Sequence, residues 1–260
     1  MKYGFIGCGN MGSAIARALA QATKDFMLTD RSGKAAALAR ELGGAYGTNE
    51  EAAGCQRVFL GVKPQMMAGV LAPLQPVLTE KKPVLITMAA GLTMESIEKM
   101  AGGRLPVIRI MPNTPVAVGK GTILYCRNDL VEDAVLTEVL HDLRFAGVLD
   151  SLEEGLIDAA CTVSGCGPAY AYMFLNALAE GAVACGVPRE KALRYAAATM
   201  EGAAQMFLTT GQHPDALKDA VCSPGGSTIE GVKVLEAQDF QKIVMDALAA
   251  AYRRNLELGS

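Results

Sequence analysis

The chain has 260 residues, 51% of them apolar, and a formal net charge of −3. That length suits one large domain or two modest ones with ample core, and the absence of a basic stripe with interleaved aromatics excludes a nucleic-acid surface. No run of about 20 apolar residues is present to span a bilayer, and the first strand is expected from residue 3 with no leader before it, so a cytoplasmic location is expected.

The seven cysteines are an odd number and scattered, with no CxxC pair and only two histidines to assist them. They read as reduced core residues, and no metal site is expected.

An apolar opening, residues 3–7, runs directly into Gly7-Cys8-Gly9-Asn10-Met11-Gly12 and then into an Ala- and Leu-rich stretch at 13–21. Strand, tight turn and helix in that order make GxGxxG a dinucleotide fingerprint: Gly7 turns the chain, Gly9 admits the pyrophosphate and Gly12 lets helix pack on strand. Asn10 and Met11 belong to the same loop.

Residues 26–30 form the second predicted strand, ending at Asp30 and followed by Arg31 and Ser32. An acidic residue alone would hold a ribose 2′-hydroxyl and favour NAD(H). A guanidinium and a hydroxyl in the next two positions match a 2′-phosphate, so NADP(H) is favoured, with NAD(H) tolerated.

Further strands are expected at 57–61, 84–87, 107–110, 122–126 and 147–150, with helices near 33–42, 65–77, 93–101 and 131–143. This alternation predicts a doubly wound, Rossmann-type parallel sheet. Ligands bind beyond the carboxyl ends of such strands. Val62, Lys63 and Pro64 follow one strand; Lys63 stands to reach the ribose or nicotinamide, or else is a solvated lysine before a helix-starting proline. The small residues Ala89, Ala90 and Gly91 follow another and leave room for a flat ring. Asn113, between Pro112 and Pro115, stands to bond the carboxamide or to shape the floor of the site, the plain alternative being a stiff turn.

After residue 150 the texture changes to helical runs with no alternating strand. The expected division is a dinucleotide-binding domain over 1–150 and an all-helical substrate-binding and dimerisation domain over 151–260. Helices at 169–184 and 189–209 are apolar on more than one face, which predicts burial against a second copy in a homodimer.

Within the helical part, Ser223-Pro224-Gly225-Gly226-Ser227-Thr228 is a glycine-rich turn opening on a helix. Unpaired N–H groups and the positive end of the helix dipole make it a cradle for a small carboxylate or phosphate. The Ser227 and Thr228 hydroxyls sit beside that anion; the plain alternative is a single N-cap.

Five segments occur in an order that closely resembles pyrroline-5-carboxylate reductase: residues 5–12, Val62-Lys63-Pro64-Gln65, Met111-Pro112-Asn113-Thr114-Pro115, Ser164-Gly165-Cys166-Gly167-Pro168-Ala169-Tyr170, and residues 221–229. The resemblance covers essentially the whole chain, and the last segment is the most specific. It implies reduction of the cyclic imino acid Δ1-pyrroline-5-carboxylate to L-proline by NAD(P)H, a Rossmann domain, and a helical dimerisation domain that in some members builds a decamer. Cys166 departs from the usual serine, and Gly211 stands where some relatives carry an acidic residue.

The residues suit that chemistry without a general base, because a protonated imine is already electrophilic and mainly needs positioning. Ser223, Gly225, Gly226, Ser227 and Thr228 would hold the substrate, with the Thr228 hydroxyl facing the ring nitrogen as the catalytic group. A short-chain dehydrogenase would need Tyr-x-x-x-Lys, and none of the seven tyrosines has a lysine four residues on. A β-hydroxyacid dehydrogenase would place a lysine on the helix after Gly165-x-Gly167, where none occurs. The alternatives are another imine or ketopantoate-type reductase, or a non-catalytic NADP(H)-sensing Rossmann protein.

Overall fold

The computed structural model describes residues 1–259. Eight strands, β1 (Tyr3–Ile6), β2 (Phe26–Thr29), β3 (Ala45–Tyr46), β4 (Arg57–Leu60), β5 (Val84–Thr87), β6 (Val107–Met111), β7 (Gly121–Arg127) and β8 (Gly147–Ser151), form one sheet in the order 3-2-1-4-5-6-7-8. The sheet is surrounded by α1 (Asn10–Leu19), α2 (Lys34–Leu42), α3 (Asn49–Ala53), α4 (Met67–Leu71), α5 (Gln75–Lys81), α6 (Met94–Ala101), α7 (Asp133–Leu143) and α8 (Glu154–Ser164). Period-2 alternation sends Phe5, Phe59 and Ile86 into one core and Ile6, Leu60 and Leu85 into the other, as a sheet covered on both faces requires. Phe5 and Phe59 stack with centroids 4.4 Å apart. The strand order reverses beside β1, so the crevice beyond the ends of β1 and β4 is the ligand position of such sheets.

Three local expectations are corrected. β7 runs antiparallel to β6, not parallel, because only the short 3-10 turn Thr114–Val118 and its flanks join them, too little chain for a crossover. The helix expected over 65–77 is broken into 3-10 and α segments, with Pro73 and Pro76 each inside the first turn of a new one. Between β2 and β4, the short edge strand β3 and the helix α3 were not anticipated; α3 is closed by a capping box between Thr48 and Glu51.

The chain divides into two compact units, residues 1–166 together with those from Ala251 on, and Gly167–Ala250. The boundary falls later than the change of texture at 150 because α8 packs with the sheet. Ile157 is buried against Met111, Leu124 and Cys126. Arg109, on β6 and only 1% exposed, pairs with Asp158 at 2.8 Å and Glu154 at 3.6 Å.

The second unit holds α9 (Gly167–Ala184), α10 (Arg189–Thr210), α11 (Pro214–Val221), α12 (Ser227–Ala237) and the first half of α13 (Phe240–Gly259). Its own core is small: Ala179, Ala192 and Ala196, with Leu175 and Leu193 beside them. Met173 (74%), Leu208 (72%) and Val234 (63%) remain exposed on a single protomer, far more apolar surface than a lone bundle leaves near water. Gly211 closes α10 with φ 63°, a left-handed position that favours glycine.

Candidate active site

The nucleotide loop is explained glycine by glycine. Gly7 has φ 99°, and a Cβ there would meet the Gly61 backbone at 2.8 Å. A Cβ on Gly12 would stand 2.3 Å from the Gly7 carbonyl oxygen, whereas one on Gly9 would have nothing within 4 Å. Two glycines thus serve the packing of loop, helix and strand, and the third faces open space. Gly9 is the N-cap of α1, with no capping side chain and no acid in the first turn. Its free N–H groups and dipole end therefore await an anion.

A cavity of about 670 Å³ opens in front of this loop, a size suited to a cofactor. Of the sequence-derived residues, Gly7, Gly9, Asn10, Arg31, Ser32 and Val62 line it. Met11 packs instead on the core, and Gly12 is buried within α1. Lys63 and Pro64 lie at the edge of the following 3-10 turn, Lys63 exposed and in no ion pair among the described residues. Ala89, Ala90 and Gly91 follow β5 outside the cavity wall, Ala89 buried and Gly91 at φ 74°. The Asn113 carboxamide accepts from the Thr122 N–H at 2.9 Å and donates to the Ser164 carbonyl at 2.8 Å, so it ties the β6–β7 turn to the end of α8.

The fold brings further residues to the cavity, among them Cys8, Asp30, Lys34 and Asn49. Lys34 had a readable signal: α2 begins with a lysine and no acid in its first turn, the reverse of what a helix dipole favours unless an anion sits there. Asp30 Oδ2 accepts from the Ser32 hydroxyl at 2.7 Å, while Asp30 Oδ1 is buried with no donor. An orphaned carboxylate oxygen, an uncapped helix and free cations on one wall fit a dinucleotide. Cys8 takes no ionic part, since burial, reinforced by the Asp30 charge, pushes its thiol up to about 12.

The second unit contains the other expected cradle. Gly225 turns with φ 72°, and the Gly226 N–H donates to the Ser223 carbonyl at 3.0 Å. α12 then starts at Ser227 with Gly226 as N-cap and no capping side chain. Neither Ser227 nor Thr228 is spent as the helix cap. Ser223, Gly225, Ser227 and Thr228 are exposed. A larger cleft of about 1000 Å³ in this unit is walled by apolar side chains such as Leu235, Phe240 and Met245 and contains none of the cradle residues. Among the described residues no group of His, Cys, Asp and Glu could hold a metal ion, and no helix is long and apolar enough to cross a membrane.

Comparison with known proteins agrees with this arrangement. The family described as "Pyrroline-5-carboxylate reductase dimerisation" matches residues 154–258, and "NADP oxidoreductase coenzyme F420-dependent" matches residues 2–91. Pyrroline-5-carboxylate reductase of Escherichia coli K12 is 38% identical over 99% of this chain and 98% of that protein. The structure of a pyrroline-5-carboxylate reductase from Coxiella burnetii superposes with a TM-score of 0.91 at 32% identity, covering 100% of this chain and 98% of that one. The Plasmodium falciparum enzyme, crystallised with NADP bound, gives a TM-score of 0.88 at 32% identity over the same shares. A glycine-loop cavity in a Rossmann-type sheet, a glycine-rich helix start in an apolar helical unit and full-length relatives agree: the chain belongs to the pyrroline-5-carboxylate reductase family.

Proposed function

We propose that the protein reduces Δ1-pyrroline-5-carboxylate to L-proline with NAD(P)H, NADPH favoured and NADH tolerated, the last step of proline biosynthesis. The observation that carries this reading is the start of α12, where no side chain caps the helix and the Thr228 hydroxyl stays free.

The backbone N–H groups around Gly225, Gly226, Ser227 and Thr228 bind the substrate carboxylate, assisted by the helix dipole and by Ser223. That contact orients the ring so that Thr228 Oγ meets the ring nitrogen, accepting a hydrogen bond from the iminium N–H. The bound cofactor supplies hydride to the imine carbon. As the π pair of the C=N bond moves onto nitrogen, the Thr228 hydroxyl stabilises the amine that forms. In the first unit the Gly7–Gly12 loop, with Asn10, Met11 and Val62, holds the pyrophosphate region, and Arg31 and Ser32 hold a 2′-phosphate. Lys63, Pro64, Ala89, Ala90, Gly91 and Asn113 border the ribose and nicotinamide.

Functionally the chain divides into a dinucleotide-binding domain over 1–150 and a substrate-binding and dimerisation domain over 151–260. It works in the cytoplasm as a homodimer, either alone or as the unit of a decamer of the kind some family members build. The test is NADPH oxidation on addition of pyrroline-5-carboxylate, with ketopantoate and a panel of keto and hydroxy acids as controls. Turnover confined to the imine supports the assignment; turnover of ketopantoate, or of nothing, overturns it.

A further inference from the structure

We infer that Glu154, the first residue of α8, is a positioning residue for hydride transfer, acting through the turn that follows β5. The inference rests on the function proposed above, which sets residues 89–91 and Asn113 at the nicotinamide border.

The turn after β5 is made of small residues and is held at its two ends. At the near end the Ala89 N–H donates to the Thr87 hydroxyl at 3.3 Å. At the far end the turn runs into α6, whose first N–H, that of Met94, donates to Glu154 Oε1 at 2.7 Å. The first N–H groups of a helix have no partner within it, and the N-cap Thr93 already accepts from Ser96 at 3.1 Å. Glu154 therefore supplies a bond that α6 does not make for itself, together with a negative charge at the positive end of the helix. Ala90 and Met94 also pack in the cluster that contains Ile157 of α8.

α8 is in turn fixed along its whole length. Arg109, 1% exposed, reaches Glu154 at 3.6 Å and Asp158 at 2.8 Å, and a buried guanidinium cannot give up its carboxylates cheaply. At the last residue of the helix, the Ser164 carbonyl accepts from Asn113 at 2.8 Å. One helix thus fastens the turn after β5 at its start and the loop after β6 at its end, and the two borders of the nicotinamide keep a common reference. The phosphate-binding elements, the Gly7–Gly12 loop and Arg31, make no listed bond to α8, so Glu154 bears on alignment for reaction and not on the grip on the cofactor. Alignment is where small displacements cost most: a misplacement of about 1 Å, caused far from the chemistry, lowers rates by as much as about a hundredfold.

Two variants of the full-length protein test this. Glu154→Ala removes the acceptor for the Met94 N–H; the side chain is 28% exposed and Arg109 keeps Asp158, so the fold is expected to persist. Glu154→Gln keeps an oxygen for that N–H and loses only the charge. In Glu154→Ala, kcat for the imine should fall by about ten- to a hundredfold, with the KM for the imine and the calorimetric affinity for NADPH nearly unchanged. The isotope effect on kcat with NADPH deuterated at the transferred position should rise, as hydride transfer comes to limit turnover. Glu154→Gln should recover most of the rate. Wild-type kcat in Glu154→Ala, a parallel loss of NADPH affinity, or a Gln variant no better than the Ala variant would each make Glu154 a support of the fold alone and overturn the inference. Failure of the wild-type protein to reduce the imine would instead overturn the proposed function, and this inference with it.

Discussion

Among the helices that open on a glycine without a capping side chain, α1 and α12 are built in opposite ways. Around α1, a Cβ added to Gly7 would strike the Gly61 backbone and one added to Gly12 the Gly7 carbonyl, and six residues of the helix are buried. Around α12 no helix residue is buried, Gly225 faces open space, and a Cβ on Gly226 would meet only Ser223. The nucleotide loop takes its shape from the core whether or not a ligand is present. The proposed substrate cradle takes its shape from one left-handed residue and one turn hydrogen bond. Rigidity at the first place and exposure at the second suit a cofactor gripped along its length and a small substrate held by a few contacts.

The sharpest way to break this comparison is at the cradle. Thr228→Ala should lower kcat/KM for the imine by roughly 10²–10³, with NADPH affinity unchanged and most of the activity restored in Thr228→Ser. Near wild-type turnover in Thr228→Ala would make the hydroxyl a bystander. At the nucleotide loop the effect is smaller and falls on binding. Arg31→Ala should weaken NADPH by about ten- to a hundredfold and NADH far less, and equal losses would remove Arg31 from 2′-phosphate recognition.

Glycine substitutions sharpen the contrast between packing and ligand space. Gly12→Ala should cost about 1–3 kcal/mol in thermal unfolding, because its Cβ runs into backbone that cannot give way. Gly9→Ala, with nothing nearby to strike, should leave the melting temperature in place and weaken NADPH instead. If both variants lose stability equally, the division of labour in the loop is wrong. The mildest effect is that of dilution: for a dimer closed over the apolar helices, each tenfold dilution should lower apparent stability by about 1.4 kcal/mol. A melting temperature independent of concentration, together with a folded monomer in sedimentation, would contradict that packing.

Much of this was legible in the sequence, and the misses share a cause. Gly7, Gly9 and Gly12 announce themselves because the strand–turn–helix they require is local. The direction of β7 depends on connection length, which the alternating pattern does not encode. β3 is too short, at two residues, to show any period. Lys34 and Asn49 lie on separate elements and meet the glycine loop only after folding. Asn113 is visible as a polar residue between prolines, but its partners, Thr122 and Ser164, are fixed by tertiary packing. The cradle is local as well, and its helix starts at Ser227, directly after the glycine turn.

The path of α13 matters to anyone who wishes to take the protein apart. The chain leaves its first compact unit after Cys166 and rejoins it at Ala251, where the Asn255 carboxamide donates to the Asp158 carbonyl at 3.0 Å. Topologically the helical unit is therefore an insertion, with both of its ends anchored in the unit that hosts it. A stop codon after residue 166 would strip that host of its own closing segment. The fragment expected to fold alone is residues 1–166 joined by a short linker to the chain from Ala251 onward, and retained NADPH binding by that excised form would show that the nucleotide site does not need the inserted segment.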